Sequence, residues 1–236
     1  MRPHGAAVTP IDRAQSFLAA GLAALAFAGL LLRRKAGVCR LFPLYLACAS
    51  AGHVFMATWP EMFFNWTFIA LGSTLQAALR LGIVYEITWR TFKPLPRGFV
   101  RVGWLMVLVS LALVPVAASV PRDLGDAFDL WRAVERVSYG IAFLFLLYVA
   151  SVRFYGIPVD PLHRALATGF GVVSVLVGCV SLLWRFDPWF GLGRDLIVKT
   201  AYPLLLTWWV VAAWRRDEFS GLSDESVRRL HPWRSQ

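Results

Sequence analysis

Arg80 has the clearest capacity for chemistry in this chain, because it lies inside a long apolar segment. Trp66 and Trp89 bound the segment, and Arg80 falls roughly 4 Å from its middle at the rise of a helix. Ser73 and Gln76 precede it at spacings of three and four residues, so a helix brings all three to one face. We predict a polar seam of Ser73, Gln76 and Arg80 on that face.

Two interpretations of this seam follow from the cost of an arginine in hydrocarbon. That cost is about 2.5–3.5 kcal/mol on insertion scales, so the side chain must face the interior of a helix bundle. In the first interpretation the seam binds an anionic ligand or lines a solute path. In the second it fixes helix register by bonding to tyrosines, backbone carbonyls or an acid, with Glu135, Asp195 and Tyr139 as candidate partners.

Two further pairs of charged residues are spaced by four, which suits neighbours on one helix face. Glu86 and Arg90 predict an ion pair at the membrane interface, and a proton-relay role for Glu86 is the alternative. Asp195 and Lys199 open the last apolar run. There we expect an exposed ion pair with a lysine that snorkels towards water.

The Asp195–Lys199 pair also resembles microbial rhodopsins, over these two residues only. In that family the lysine binds retinal as a Schiff base deep in the membrane. Lys199 is followed by the apolar stretch 200–214 and so lies near the outer interface. Retinal photoreception is therefore a minor alternative, and no cofactor is predicted.

Other residue patterns that carry chemistry are missing from the sequence. Cys39, Cys48 and Cys179 are scattered, and His53 is the only histidine inside an apolar run, where we interpret it as a packing residue. No nucleophile, phosphate-loop or metal-ligand spacing occurs. We therefore predict that the protein has no catalytic residues, binds no metal and is not an enzyme. The net charge of +10 favours contact with anionic lipid headgroups over nucleic acid.

Seven apolar runs position these residues. The chain of 236 residues is 58% hydrophobic and only 16% charged, which is too few charges for a water-soluble protein. The runs are continuous, so we predict one all-α domain over residues 1–236, a membrane bundle of seven transmembrane helices. The predicted spans are 14–32, 41–59, 63–89, 102–120, 133–152, 164–184 and 196–214, with a short cytoplasmic tail 215–236.

The basic residues of the connections predict the orientation. Alternate connections and the tail carry fifteen Arg and Lys residues, against eight on the other side. Basic residues near span ends stay on the cytoplasmic side, so we expect the N-terminus outside and the C-terminus in the cytoplasm. The arginine-rich, lysine-poor composition is typical of a bacterial protein. We therefore expect this helical protein in the inner membrane of a bacterium.

Two rows of small residues predict helix contacts, because small side chains let helices approach closely in lipid. Spacings of three and four put each row on one face. The rows are Gly171, Ser174, Gly178 and Ser181 in the sixth span, and Ala20, Ala24 and Ala28 in the first.

Segments 40–46 (RLFPLYL) and 83–94 (IVYEITWRTFKP) resemble a group of small bacterial seven-helix membrane proteins of unknown function. The resemblance implies the fold and no activity. Our main hypothesis is a non-enzymatic integral membrane protein that acts by association, as a sensory module or accessory subunit of a larger membrane complex or as a homo-oligomer. The alternative is a small-solute or anion transporter that uses Arg80.

Overall fold

Six long helices make up most of the described structure. This computed structural model describes residues 9–63, 65–93, 103–105, 108–109, 127–157, 159–186 and 190–215, and all regular structure within them is helical. The elements are α1 (Pro10–Leu32), a 3₁₀ turn (Lys35–Gly37), α2 (Leu41–Thr58), α3 (Pro60–Phe63), α4 (Trp66–Phe92), α5 (Ala127–Phe154), α6 (Pro161–Phe186) and α7 (Phe190–Trp214). Residues 103–105 and 108–109 are helical as well.

Local sequence sets where the helices begin and end. Thr9 and Asp12 form a capping box on α1, in which each side chain accepts the backbone N–H of the other residue. Asn65 caps α4 by accepting the Phe68 N–H at 2.8 Å. After α1 the chain turns at Arg34, whose φ of 55° is left-handed.

Within the described part of the chain, four helices are long and apolar enough to cross a membrane. They are α1, α2, α4 and residues Arg136–Phe154 of α5. Only 28–33% of each apolar window is buried inside the chain, and large side chains such as Phe17 and Leu71 face outward. So extensive an apolar exterior is unfavourable in water. It is the surface expected of a helical membrane protein.

The long helices pack as a closed ring. Each contacts its two neighbours in the order α1, α2, α4, α5, α6, α7 and back to α1. The neighbours α4 and α5 run parallel, because Arg80 bonds to Ser138 and Thr91 bonds to Tyr148 about ten residues further along both helices. The C-terminal end of α4 and the N-terminal end of α5 therefore lie at opposite ends of the ring.

Aromatic side chains fill part of the interior of the ring. Trp209 of α7 is fully buried, and its ring centroid lies 4.5 Å from that of Phe170 and 5.2 Å from that of Phe42. Tyr45 lies edge-on to Trp209 at 6.0 Å, and Phe145 stacks on Phe170 at 4.9 Å. These contacts join α2, α5, α6 and α7.

The helices differ from the predicted spans mainly in length. Helices α5, α6 and α7 begin at residues 127, 161 and 190, several residues before the predicted starts at 133, 164 and 196. The extra turns contain charged and polar residues, which an apolar run excludes but a helix end at the membrane surface accepts. Most of the predicted span 102–120 and the tail beyond Arg215 lie outside the described residues.

The alanine row predicted for the first span is only partly buried. Ala20 is buried and Ala28 partly buried, but Ala24 is exposed. The residues that α1 buries are Ala19, Ala20, Ala23, Ala26, Gly29 and Leu30. The reason is that α1 packs against both α2 and α7, so its buried face lies between the two contacts.

Candidate functional site

One end of the ring, which we call the basic end, is held by a carboxylate. Glu86 Oε1 accepts the Arg40 N–H at 2.9 Å and pairs with Arg90 Nη2 at 2.7 Å. Its Oε2 accepts the Leu41 N–H at 3.0 Å and the Cys39 thiol at 3.4 Å. Glu86 therefore satisfies N–H groups that the start of α2 would leave unpaired. The structure brings Glu86 and Arg90 together within a structural cap.

Cys39 belongs to the same cap and lies in the connection between α1 and α2. Burial, with the nearby negative charge of Glu86, raises the pKa of its thiol to about 12. The thiolate is the reactive form of cysteine. At neutral pH Cys39 is therefore an inert packing residue.

Further polar contacts complete the basic end. The Lys35 ammonium donates to the Arg215 carbonyl at 2.7 Å and so caps the C-terminal end of α7. The His163 ring lies 2.9 Å, through Nε2, from the Val38 carbonyl, and Arg90 also donates to the Gly37 carbonyl. These bonds join the ends of α1, α4, α6 and α7.

Arg80 lies near the middle of α4, away from the basic end. Its Nε donates to the Gln76 carbonyl at 3.2 Å, and its Nη2 donates to Ser138 Oγ of α5 at 3.3 Å. Ser138 Oγ in turn donates to the Val134 carbonyl at 2.8 Å. Ser73 and the side chain of Gln76 are partly buried. The bond between Arg80 and Gln76 is thus made by the backbone carbonyl of Gln76.

The predicted partners Glu135, Asp195 and Tyr139 stay predictions. The side chains of Glu135 and Asp195 lie outside the described part of the chain, and Tyr139 is 36% exposed. Within the described residues, no carboxylate forms an ion pair with Arg80, and helix α5 presents Ser138 to the guanidinium.

Two tyrosines and a histidine complete a group that we call the interior polar cluster. Tyr45 of α2 and Tyr202 of α7 lie within electrostatic range of Arg80 and of each other. The ring of His53, two turns beyond Tyr45 on α2, lies 5.4 Å from the ring of Tyr202. The cluster consists of Gln76, Arg80, Ser138, Tyr45, Tyr202 and His53.

Two atoms of this cluster are buried without a hydrogen bond. They are Tyr202 Oη and His53 Nδ1. Tyr202 Oη interacts electrostatically with the Tyr45 hydroxyl, and its geometry gives it no hydrogen bond to a described residue. Buried polar atoms are paired in the great majority of cases. The interior polar cluster therefore has spare hydrogen-bonding capacity next to a cation.

Sequence reasoning missed Tyr45, Tyr202 and Ser138. Tyrosine and serine are common in apolar runs, and their spacing within one helix says nothing about a residue on another helix. His53 was interpreted as a packing residue, and it does pack on Tyr202, but with an unpaired nitrogen. The available signal was Arg80 itself, since an intramembrane cation requires polar neighbours.

Lys199 lies at the end of the ring opposite the basic end. Its ammonium forms an ion pair with Asp12 of α1 at 3.4 Å, and both side chains are partly exposed. The side chain of Asp195 lies outside the described residues. A lysine held by Asp12 in the first turn of α1 is remote from the middle of the bundle, where a retinal Schiff base would require it.

The small residues of α6 pack inside the chain as far as they are described. A Cβ on Gly171 would lie 3.2 Å from Leu146 of α5, and one on the neighbouring Gly169 would lie 2.6 Å from Leu205 of α7. Ser174 is partly buried, whereas the side-chain positions of Gly178 and Ser181 lie outside the described part.

Comparison of the chain with protein-family models, curated proteins and solved structures gave no match. The resemblance carried by segments 40–46 and 83–94 therefore stays a prediction.

Proposed function

We propose that this protein is a non-enzymatic membrane carrier that binds a small anion inside the bundle, next to Arg80. One observation carries the proposal. The guanidinium of Arg80 lies near the middle of α4 and within electrostatic range of Tyr202 of α7, whose buried Oη has no hydrogen bond to a described residue. A purely structural arginine would be expected to leave its polar neighbours paired.

The donors of the cluster suit an oxyanion. An arginine has five N–H groups, and the bonds to Gln76 and Ser138 use two of them. The hydroxyls of Tyr45 and Tyr202 are further donors within range. Charge-assisted hydrogen bonds to carboxylate or phosphate oxygens are the strongest that such groups form. The expected ligand is a small carboxylate or phosphate.

Ser138 has a positioning role in this proposal. It donates to the Val134 carbonyl and accepts from Arg80, so its single proton is already committed. The hydroxyl therefore fixes the guanidinium from one side. The remaining N–H groups form no hydrogen bond to a described residue, and in this proposal they bind the ligand.

Our proposal includes seven membrane crossings with the C-terminus in the cytoplasm of a bacterium. The parallel packing of α4 and α5 supports an additional crossing between them, because the chain has to return along the ring. The described basic residues at the basic end support the placement of this end on the cytoplasmic side, since Glu86 and Asp160 are the only described acidic residues there. These basic residues are Arg33, Arg34, Lys35, Arg40, Arg90, Lys93, Arg153, Arg164 and Arg215. A green fluorescent protein fused after Gln236 should fluoresce, and a dark, expressed fusion would contradict this orientation.

Action by association remains the second hypothesis, with less support. It is motivated by the absence of catalytic motifs, by the small-residue faces of the helices and by the many interfacial tryptophans. In the described part of α6, Gly171 and Gly169 face α5 and α7 of the same chain. These glycines are therefore used within the bundle.

Thermal unfolding in a panel of anions tests the proposal. The purified protein is heated in acetate, succinate, glutamate, sulfate or inorganic phosphate, each against chloride at equal ionic strength. A ligand at ten times its Kd stabilises the fold by about 1.4 kcal/mol and should raise the Tm by about 3–6 °C. Arg80→Gln should abolish that rise, because it removes the cation.

Arg153→Gln is the matched control, since Arg153 is exposed at the end of α5. This variant should keep the full rise in Tm. The proposal is wrong if no anion of the panel stabilises the protein, or if Arg80→Gln responds as strongly as the unaltered chain.

A further inference from the structure

Helix α7 contains a proline directly after a member of the interior polar cluster. Pro203 follows Tyr202 and lies inside the helix Phe190–Trp214. Proline has no N–H, so the carbonyl four residues earlier, that of Lys199, loses its partner within the helix. The missing bond divides α7 into an outer segment, 190–202, and an inner segment, 203–214.

The carbonyl freed by Pro203 is bonded by another helix. The side-chain amide of Gln15 on α1 donates to the Lys199 carbonyl at 2.6 Å. Asp12, one turn earlier on α1, pairs with the Lys199 ammonium at 3.4 Å. Both groups of Lys199 are therefore held by α1. We call Asp12, Gln15 and Lys199 the α1–α7 clamp.

The two segments of α7 are anchored differently. In the inner segment Leu206, Trp209 and Ala213 are fully buried, and Trp209 packs on the aromatic rings of α2 and α6. Its first turn is closed by Thr207, whose hydroxyl donates to the Pro203 carbonyl at 2.9 Å. The outer segment has glycines at 191 and 193, which weaken a helix. Among the described contacts, the α1–α7 clamp joins the outer segment to α1.

We propose that Pro203 is a hinge and that the outer segment of α7 is a gate to the interior polar cluster, kept closed by Gln15. The gating role rests on the function proposed above, whereas the hinge does not. Opening breaks the hydrogen bond from Gln15 to the Lys199 carbonyl. It breaks no backbone hydrogen bond between residues 199 and 203 of α7, because Pro203 has no N–H to donate. The movement carries Tyr202, which ends the outer segment, away from Arg80.

Hydrogen–deuterium exchange of peptides covering 190–202 tests the hinge without any ligand. The protein is measured in lipid nanodiscs as the unaltered chain and as Gln15→Leu, Pro203→Ala and the double variant. Gln15→Leu should speed exchange about threefold, the factor for an average inter-helix hydrogen bond in a membrane. Pro203→Ala should slow it, because the new N–H bonds to the Lys199 carbonyl.

The decisive result is that the effects of Gln15→Leu and Pro203→Ala on exchange should not add. With Pro203→Ala present, Gln15→Leu should change the exchange of 190–202 hardly at all, since the Lys199 carbonyl then has a partner in its own helix. Ser16→Ala is the control, because Ser16 bonds only within α1, to the Asp12 carbonyl, and it should leave exchange unchanged. An equal effect of Gln15→Leu in both backgrounds, or no effect in either, would overturn the hinge.

Access to the cluster tests the gate. In a variant that carries Ser138→Cys, with the native cysteines changed to alanine, the new thiol reports on water next to Arg80. Its reaction with a sulfonate-bearing thiosulfonate should be about threefold faster when Gln15→Leu is added. An unchanged rate of thiol reaction would overturn the gate, whereas the hinge is tested separately by hydrogen–deuterium exchange. If none of the anions raised the Tm, the proposed function would be wrong, but the exchange and thiol experiments would still test the hinge and the gate.

Discussion

The basic end and the interior polar cluster treat polar groups in opposite ways. At the basic end Glu86 alone satisfies two backbone N–H groups, a thiol and a guanidinium. In the interior, Tyr202 Oη and His53 Nδ1 are buried without a hydrogen bond to a described residue, and Tyr202 lies within electrostatic range of the partly buried Arg80. Pairing of polar groups stabilises a fold. The comparison assigns the basic end to stability and supports our proposal that the interior polar cluster binds a ligand.

Replacement of Glu86 should have the largest effect on stability. Glu86→Ala leaves the start of α2 uncapped and Arg90 without its carboxylate, at a cost of roughly 2–3 kcal/mol. Thermal unfolding in detergent should show a fall in Tm of about 4–8 °C. The control is Glu61→Ala, since Glu61 is exposed in α3. Equal Tm values for the two variants would contradict the structural role of the basic end.

Loss of Glu86 should also change the chemistry of Cys39. The negative charge of Glu86 contributes to the high pKa of that thiol, and Glu86→Ala removes it. The pKa of Cys39 should fall, so that maleimide labels it faster at pH 8 than in the unaltered protein. Unchanged labelling of Cys39 in Glu86→Ala would show that burial alone controls the thiol.

Replacement of Lys199 should have a small effect. The side chains of Lys199 and Asp12 are 40% and 20% exposed, and an exposed ion pair contributes about 0–1 kcal/mol. Lys199→Met should therefore lower the Tm by about 1–2 °C at most, because Gln15 still holds the backbone of Lys199.

Lys199 also allows a test of the retinal alternative. The unaltered protein mixed with all-trans retinal should show no Schiff-base absorbance. A visible band that disappears in Lys199→Met would revive the photoreceptor alternative.

Tyr202→Phe should have the smallest effect on stability and so gives the sharpest contrast with Glu86→Ala. It removes a buried hydroxyl that has no hydrogen bond, so the Tm in chloride should stay the same or rise slightly. The affinity for the anion that stabilises the unaltered chain should fall about fivefold, because one donor is lost. A large fall in Tm with unchanged affinity would assign Tyr202 to stability.

Much of the fold could be predicted from the sequence because helices in lipid must be apolar, continuous and of a certain length. Within the described residues, helices cover the predicted runs from 14–32 to 196–214 except at Trp59 and Asn65, and the described part of the run 102–120 consists of residues 103–105 and 108–109. The helix ends were less predictable, since α5 and α7 continue into polar residues. Packing was harder still, as the exposed Ala24 shows, because the buried face of α1 depends on two neighbours.

The candidate site could be predicted only as far as a single helix determines it. Spacing by four identified Glu86 with Arg90, and the unusual depth of Arg80 marked it for attention. Spacing could not show that Asp12 pairs with Lys199, or that Ser138, Tyr45 and Tyr202 surround Arg80. These contacts join residues on different helices, and they depend on the order of helices around the ring.

The most direct test of the account is anion flux through proteoliposomes that contain the purified protein. The measured quantity is the initial rate of uptake of the radiolabelled anion that raises the Tm. Arg80→Gln should reduce that rate at least tenfold, because a charge-assisted contact is lost, while Arg153→Gln should carry the anion at the unaltered rate. Uptake by Arg80→Gln at the rate of the unaltered protein would contradict the central claim.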